Sequence, residues 1–404
     1  MQSSRRRIRH GAPRRRALKV LASHPVQYHV PLFRELIAQG MDVDVGYYHY
    51  GAAGRVARDE EFGLEFEWDV DLLTGYPHRA FLQSTARYDY AEQARVLGTL
   101  LPWALGSRGT PLLLLGWFSE IVWVVWALRV VTRAPTLLLS ETTPLSFRAR
   151  PKPRWRVAVL AWLLQHTSAC LFVGERNRRF LESMGVGGSR LFHAPYSIES
   201  ERFASEAAGL LPRRGEVCRR FGLDEDLPVL LYCGKLIQKK RPLQLLQAYL
   251  DAGLRQRAQL VYVGEGALHA EIERRSRDAG AAHVRVLGFF NQTEMPLAYV
   301  MGEVLCLISD ATETWGLVVN EARACGRPVI VSETVGCGPD LVGEDDGWTV
   351  PLDDSAALSE ALAQVVGRRQ EWTAMGTRGC RRAKTHTYAG MAAGVLSALE
   401  AITR

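Results

Sequence analysis

The sequence predicts an α/β protein of two domains, each built on a parallel sheet. Three observations carry this reading. At 404 residues the chain is longer than one core usually fills, and 47% of it is hydrophobic, so two cores can be buried. Short apolar runs recur along it, each ending in a glycine or a polar loop. Its opening order, a strand over 18–22, a loop, a helix over 31–38 and a strand over 43–47, is a βαβ unit, which requires parallel strands.

Charge constrains partners less than its total suggests. The formal charge is +7, yet residues 1–19 carry eight basic side chains and no acid, so the remainder comes to −1. A basic face spread over the folded part is therefore excluded as the source of the positive total, and nucleic acid is not an expected partner. The segment 1–16 reads as a disordered tail and at most a tether to anionic lipid, at about 1 kcal/mol per basic residue near the surface. An arbitrary start in an arginine-rich coding sequence accounts for it equally well.

Seven cysteines, an odd number without C-x-x-C spacing, read as buried thiols of a cytosolic protein, neither a disulfide framework nor a zinc site. No apolar segment follows the first arginines, which argues against a signal peptide. The greasiest region, 111–131, is interrupted by Ser119, Glu120 and Arg129. It reads as a buried strand and a core helix, because a membrane span wants about 20 uninterrupted apolar residues.

In the first domain His24, Gln27 and His29 follow a parallel strand, where ligands of such sheets gather. His24 is a catalytic candidate, with a solvated loop histidine as the alternative. Glu67 to Tyr76, aromatic and acidic with a turn at Gly75, suits a sugar-lined wall or a loop pinned by a buried tryptophan. Strands over 112–115 and 136–139 flank a helix over 121–131. Arg148, Arg150, Lys152, Arg154 and Arg156 surround Trp155 in the one internal basic cluster, where prolines forbid a regular helix before about residue 155. The cluster suits a lipid diphosphate or a bilayer surface, or is a solvated loop. A strand over 170–173, Gly174, a helix over 177–184 and a strand over 191–195 complete the domain. Residues 205–215, small and rich in Gly, Pro and Arg, read as a linker running into the second domain.

The second domain opens on a buried strand over 229–233, followed by Gly234, Lys235 and Lys240. Two cations five residues apart can flank a diphosphate, and they stabilise charge that builds as it leaves. A strand over 260–263 ends in Gly264 and Gly266, without the third glycine a dinucleotide site needs. A strand over 284–287 leads to Gly288-Phe289-Phe290-Asn291-Gln292. A strand over 305–308 leads to Glu313-Thr314-Trp315-Gly316-Leu317-Val318-Val319-Asn320-Glu321, read as a loop, a glycine turn and a helix over 317–324, then a strand over 329–332. The amides at such a helix start attract phosphate. Glu321 can hold a sugar diol, and Glu313 is free to reach a second sugar. An amphipathic helix with two solvated glutamates is the alternative. A glycine-rich turn over 336–340 and helices over 356–366 and 391–402 finish the chain.

The stretch from Glu313 to Glu321, an E-x7-E pattern, resembles the nucleotide-binding signature of the retaining GT-B glycosyltransferases of the GT4 family. Gly234-Lys235-Leu236 with Lys240 is similar to that family's G-[RK]-L-x-x-x-K element, although Arg241-Pro242 replaces the usual glycine. Residues 288–292 resemble its base-binding loop, and 195–199 the exit from its first domain. The glycine-rich N-terminal loop common in the family is missing; His24-Pro25-Val26-Gln27-Tyr28 resembles a bacterial subset with H-P-x-Q-Y. Glu141 stands where many members have a histidine near the reacting sugar. The resemblance spans residues 17–400 and is densest over 229–350.

The resemblance implies two Rossmann-like domains with parallel sheets facing across a cleft. They divide as 17–205 for the acceptor, 206–385 for the nucleotide sugar, and a helix over 386–404 crossing back. It implies retaining transfer from a nucleotide-diphosphate sugar, UDP- or GDP-linked, to a glycan, lipid-linked or small-molecule hydroxyl, with neither metal nor further cofactor. Lys235 and Lys240 would neutralise the diphosphate, Glu321 hold the ribose and Glu313 the donor sugar. The backbone of Trp315, Gly316, Leu317 and Val318 would cradle phosphate, and Gly234, Gly264, Gly266, Phe289 and Phe290 would line the nucleotide. Glu141 and His24 are the candidates facing the acceptor. The implied setting is cytoplasmic, at the inner membrane face through 1–16 or 148–156, in cell-envelope or exopolysaccharide synthesis. A nucleotide-sugar epimerase, a glycosyltransferase of secondary metabolism and a catalytically silent sugar-nucleotide binder stay open.

Overall fold

A computed structural model describes residues 16–49, 57–59, 64–82, 90–106 and 109–403. The expected tail lies outside them except for Arg16, whose guanidinium meets Glu400 at 3.1 Å. The strands of the first half are β1 Ala17–Ala22, β2 Asp42–Tyr47, β3 Ala57–Asp59, β4 Leu64–Phe66, β5 His78–Ala80, β6 Leu112–Leu115, β7 Thr136–Ser140, β8 Ala169–Phe172 and β9 Leu191–His193. Those of the second are β10 Val229–Cys233, β11 Gln259–Val263, β12 Val284–Val286, β13 Val304–Leu307, β14 Val329–Ser332 and β15 Gly347–Val350.

They form two parallel sheets, ordered β5-β2-β1-β6-β7-β8-β9 and β12-β11-β10-β13-β14-β15, beside a small antiparallel β3-β4 pair. The central strands are continuous apolar runs: all five residues of β10, Val-Leu-Leu-Tyr-Cys, are buried. Helices cover both faces of a parallel sheet, so its strands lose the alternation of a half-exposed one. Four strands escape the hydrophobic pattern, namely β3, β4, β5 and β15, because they are short or lie at sheet edges and carry residues such as His78, Arg79 and Gly347.

The apolar region 111–131 is β6 followed by a helix, Glu120–Val131, that Ser119 caps by accepting from the Ile121 amide at 3.3 Å. Arg129 is fully buried in it. Its guanidinium donates to the carbonyls of Ala104, Thr110 and Pro135 and to the Thr136 hydroxyl, so the cation is a crosslink of the core. Among the described residues no helix is long and apolar enough to cross a membrane.

Residues 205–215 are helical, contrary to the linker reading. They end the helix Ser200–Leu210, form one turn at Leu211–Arg213 and open the helix Arg214–Arg220. Small residues here serve packing: Phe203 and Ala207 are buried where this helix meets the helices Met295–Met301 and Leu317–Ala324. The terminal helix Tyr388–Thr403 packs on the helix Val30–Ala38 and on β8 and β9 of the first sheet. Six cysteines are buried free thiols, whereas Cys380 is exposed.

Candidate functional site

In an open parallel sheet the strand order reverses at one point, and the loops leaving the strands there diverge to leave a crevice. In the first sheet this point lies between β1 and β6, in the second between β10 and β13. The loops that follow those strands carry most of the residues singled out by the sequence, and the domains meet along them.

After β10 the chain runs through Gly234 and Lys235, both half-buried, into a single turn at Gln238–Lys240. Gly264 and Gly266 are required by the packing of this loop. A Cβ on Gly264 would sit 1.9 Å from the Gly234 carbonyl oxygen, and one on Gly266 would sit 2.6 Å from that of Leu236. The Leu236 amide donates to the Glu265 carbonyl at 2.8 Å and the Gly264 amide to Gly288 at 2.7 Å, so three loops are laced together. Arg241, in place of the family's glycine, is left-handed at φ +55°. A following proline disfavours the right-handed helical alternative. Its guanidinium is anchored by the Leu352 carbonyl at 2.7 Å and the Asp353 carboxylate at 2.6 Å.

After β13, Glu313 forms an ion pair with Lys240. Gly316, at φ +101°, opens the helix Leu317–Ala324; a Cβ there would meet Leu307 at 2.7 Å. Among the described residues no hydrogen bond takes up the amides of Trp315, Gly316, Leu317 and Val318. The Trp315 ring is buried: its indole N–H donates to Asn320 at 2.9 Å, and Asn320 donates to the Tyr196 carbonyl at 3.1 Å. Glu321 is only 1% exposed. One oxygen accepts from Tyr28 at 3.0 Å and the other from Tyr299 at 2.6 Å. Burial lifts its carboxyl to about 7 against the pull of those two hydroxyls.

From the first domain Glu141, just past β7, faces the same centre. Burial and the nearby Glu313 raise its carboxyl to about 7, opposed by Thr314 and Lys240. Beside it a small pocket is lined by Trp117, Phe118, Thr142, Phe147, Thr312 and Thr314, together with Arg150 and Lys152. The Trp117 indole nitrogen and the Thr142 hydroxyl are buried there without a hydrogen-bond partner among the described residues. His24 lies 2.9 Å from the Ser23 hydroxyl, and partial desolvation, with the nearby His49, holds it below the usual range. His29 stacks on Tyr196 with centroids 6.2 Å apart, and burial lowers it to about 4.

Phe289 and Phe290 diverge. Phe290 is buried against Phe221 at 5.3 Å, while Phe289 meets Phe66 at 4.6 Å across the domain boundary. The loop from Glu67 to Tyr76 is tied to the second domain by Asn291, which donates to the Glu67 carbonyl at 2.5 Å, and by Asp69, which accepts from the Thr293 amide at 3.0 Å. It is pinned by buried Tyr76 rather than by half-buried Trp68. On the far side Asp340 accepts from the Glu175 amide at 3.1 Å, and burial raises its carboxyl to about 6. Tyr28, Tyr299, Trp117, Thr142 and Asp340 are site residues that sequence motifs did not mark individually. Only the proximity of Tyr28 to His24 and Gln27 offered a signal. Among the described residues no cluster of His, Cys, Asp or Glu could hold a metal.

Two parallel-sheet domains meeting at their switch points define the GT-B architecture. Sucrose-phosphate synthase from Thermosynechococcus elongatus superposes with a TM-score of 0.69 over 96% of this chain and 99% of its own, at 17% identity. The chain matches the family model for glycosyl transferases group 1 over residues 214–381. It is 26% identical over 269 residues to a D-inositol 3-phosphate glycosyltransferase of Geodermatophilus obscurus, covering 63% of this chain and 58% of that protein. It is 28% identical over 219 residues to a GDP-mannose-dependent phosphatidylinositol monomannoside mannosyltransferase of Mycolicibacterium smegmatis, covering 52% and 55%. The matches thus span less than two thirds of these relatives' length.

Proposed function

We propose that the protein is a retaining glycosyltransferase that moves a sugar from a UDP- or GDP-sugar to a hydroxyl of a glycan or lipid-linked acceptor in cell-envelope synthesis. The observation that carries this reading is the Lys240–Glu313 ion pair, placed at the second domain's switch point and opposite Glu141 of the first. The names of the relatives, which include a GDP-mannose-dependent enzyme, agree with the donor class.

In this reading Lys235, Lys240 and the amides of residues 315–318 receive the diphosphate, and Glu313 exchanges its lysine for hydroxyls of the donor sugar. Glu321 takes the ribose, for which its bond from Tyr28 gives way. The bond from the sugar's anomeric carbon to the β-phosphate oxygen breaks, and the acceptor oxygen bonds to that carbon from the same face. The acceptor proton passes to the departing phosphate oxygen. Charge grows on that oxygen as it leaves, so cations and amides fixed around it favour the transition state over the ground state. The acceptor hydroxyl enters beside Glu141, with Trp117 and Thr142 offering hydrogen bonds.

Thermal unfolding against UDP-, GDP-, ADP- and dTDP-sugars, with NAD as control, tests the donor class. Ligand at about 100 times its dissociation constant adds about 2.7 kcal/mol. Stabilisation by one sugar nucleotide supports the reading; stabilisation by NAD alone overturns it.

A further inference from the structure

Two helices of the first domain leave apolar stripes uncovered. On Glu120–Val131 the side chains of Val124, Leu128 and Val131 are exposed, and Val131 keeps 69% of its surface. On the helix Arg154–His166, Trp155, Val159 and Trp162 repeat the same spacing, with 63% of Trp155 and 43% of Trp162 exposed. Residues three and four apart share a helix face, so each trio forms a single stripe. The opposite faces, including Val122, Val125, Trp126, Leu160 and Leu164, are buried in one core with Leu112, Leu114 and Leu138 of the sheet. Both helices therefore cover the same side of that sheet, and they pack on each other. The Trp126 indole donates to Thr167 at 2.8 Å, fixing the first helix to the end of the second. Among the described residues, every exposed large hydrophobic side chain except Leu211 lies on these helices or, for Phe118, just before the first.

The charge around the stripes is predominantly basic, with Glu120 the exception. No acid occurs between Glu141 and Glu175, and Arg148, Arg150, Arg154 and Arg156 are exposed in that interval. Arg133, also exposed, follows the first helix, whose single acid is Glu120 in its first turn. Arginines interleaved with an exposed tryptophan at the start of an apolar stripe supply both terms of interfacial attachment, apolar burial and attraction to anionic headgroups.

We infer that this surface seats the protein on an anionic bilayer, with Trp155, Val159 and Trp162 at the headgroup boundary and the arginines on lipid phosphates. A protein partner or a second copy would bury the apolar stripe equally well. The predominantly basic surround favours lipid, since a second copy would bring its own arginines against these. Phe118, Arg150 and Lys152 also line the pocket with Thr312 and Thr314 beside Glu141, so a lipid-held acceptor would reach the cleft from this edge. That extension rests on the transferase reading; the docking itself does not.

The test uses the full chain with vesicles of phosphatidylcholine, alone or mixed with phosphatidylglycerol, some carrying lipid brominated on the acyl chains. The expected result is sedimentation with the anionic vesicles and quenching of tryptophan fluorescence by bromine. A triple variant, Trp155→Ser, Val159→Ser and Trp162→Ser, should lower the partition coefficient about tenfold or more and lose the quenching. Its unfolding midpoint and sugar-nucleotide affinity should hold, which separates a failure of docking from a failure of the transferase reading. Attachment without quenching, or attachment that survives the triple variant, overturns the proposal and assigns binding to charge elsewhere, such as residues 1–16. An oligomer that dissociates in the triple variant, without vesicle binding, overturns it in favour of an interface between copies.

Discussion

The Tyr28 hydroxyl donates to the Glu321 carboxylate at 3.0 Å, joining residues 293 positions apart and, with them, the two domains. The same carboxylate is the group assigned to the donor ribose. In this structure the first domain therefore occupies, with a hydroxyl, the place proposed for a hydroxyl of the ligand.

Replacing Tyr28 by Phe leaves a buried acceptor with Tyr299 as its remaining tyrosine donor. Such a loss costs about 1–3 kcal/mol. Urea denaturation should show that loss, while affinity for the sugar nucleotide rises because no bond has to break first. An unchanged affinity would mean that Glu321 does not meet the ligand.

The contribution of Glu141 and Glu321 to stability should fall as pH rises from about 4.5 to about 7, while His29 and His386, lowered to about 4, work in the opposite direction. Glu141 and Glu321 both move from an ordinary 4.5 to about 7 in the folded protein. Between those values these two groups bind more protons in the folded state than in the unfolded one, so each upward step in pH removes part of their contribution, and the effect levels off above about 7. Asp340, raised to about 6, acts in the same direction. Glu141→Gln should remove about 2–3 kcal/mol of the difference between pH 5 and pH 8. A variant with the same pH profile as the natural protein would show that Glu141 is not held in this environment.

At Arg241 backbone strain and side-chain anchoring compete. Left-handed geometry costs a non-glycine residue about 1–2 kcal/mol, and glycine nothing. Arg241→Gly should unfold at a higher temperature than Arg241→Ala by a margin of about 1 kcal/mol, since both lose the anchors to Leu352 and Asp353 but only alanine keeps the strain. Equal midpoints would place the residue outside the left-handed region.

Much of this fold is legible from local sequence, and the reasons differ by element. Val229–Cys233, Val329–Ser332 and the helix Leu317–Ala324 fall where the sequence places them, because a doubly covered strand is a continuous apolar run and Gly316 marks a backbone break. The helices at Ser200–Leu210 and Arg214–Arg220 were hidden, because their Gly, Pro and Arg content mimics a linker while a few residues such as Phe203 do the packing. Glu141, Glu313, Lys240 and the amides after Trp315 do converge. What local pattern could not give is how the domains press together. Tyr299 sits on the helix Met295–Met301, in which every residue but Leu297 is buried, and nothing in that apolar run marks one hydroxyl as the partner of Glu321. Glycines 264 and 266 also provide the clearance between adjacent loops, a need that local sequence does not show.

The proposed function rests on Lys240 and Glu313 bracketing the diphosphate and sugar of a donor. Calorimetric titration of UDP and GDP into the natural protein and into Lys240→Ala tests it most directly. One nucleoside diphosphate should bind the natural protein, and the variant should bind it at least about tenfold more weakly, a loss of about 1.4 kcal/mol, with turnover suppressed by orders of magnitude. Equal affinity and near-normal turnover in the variant would contradict the assignment.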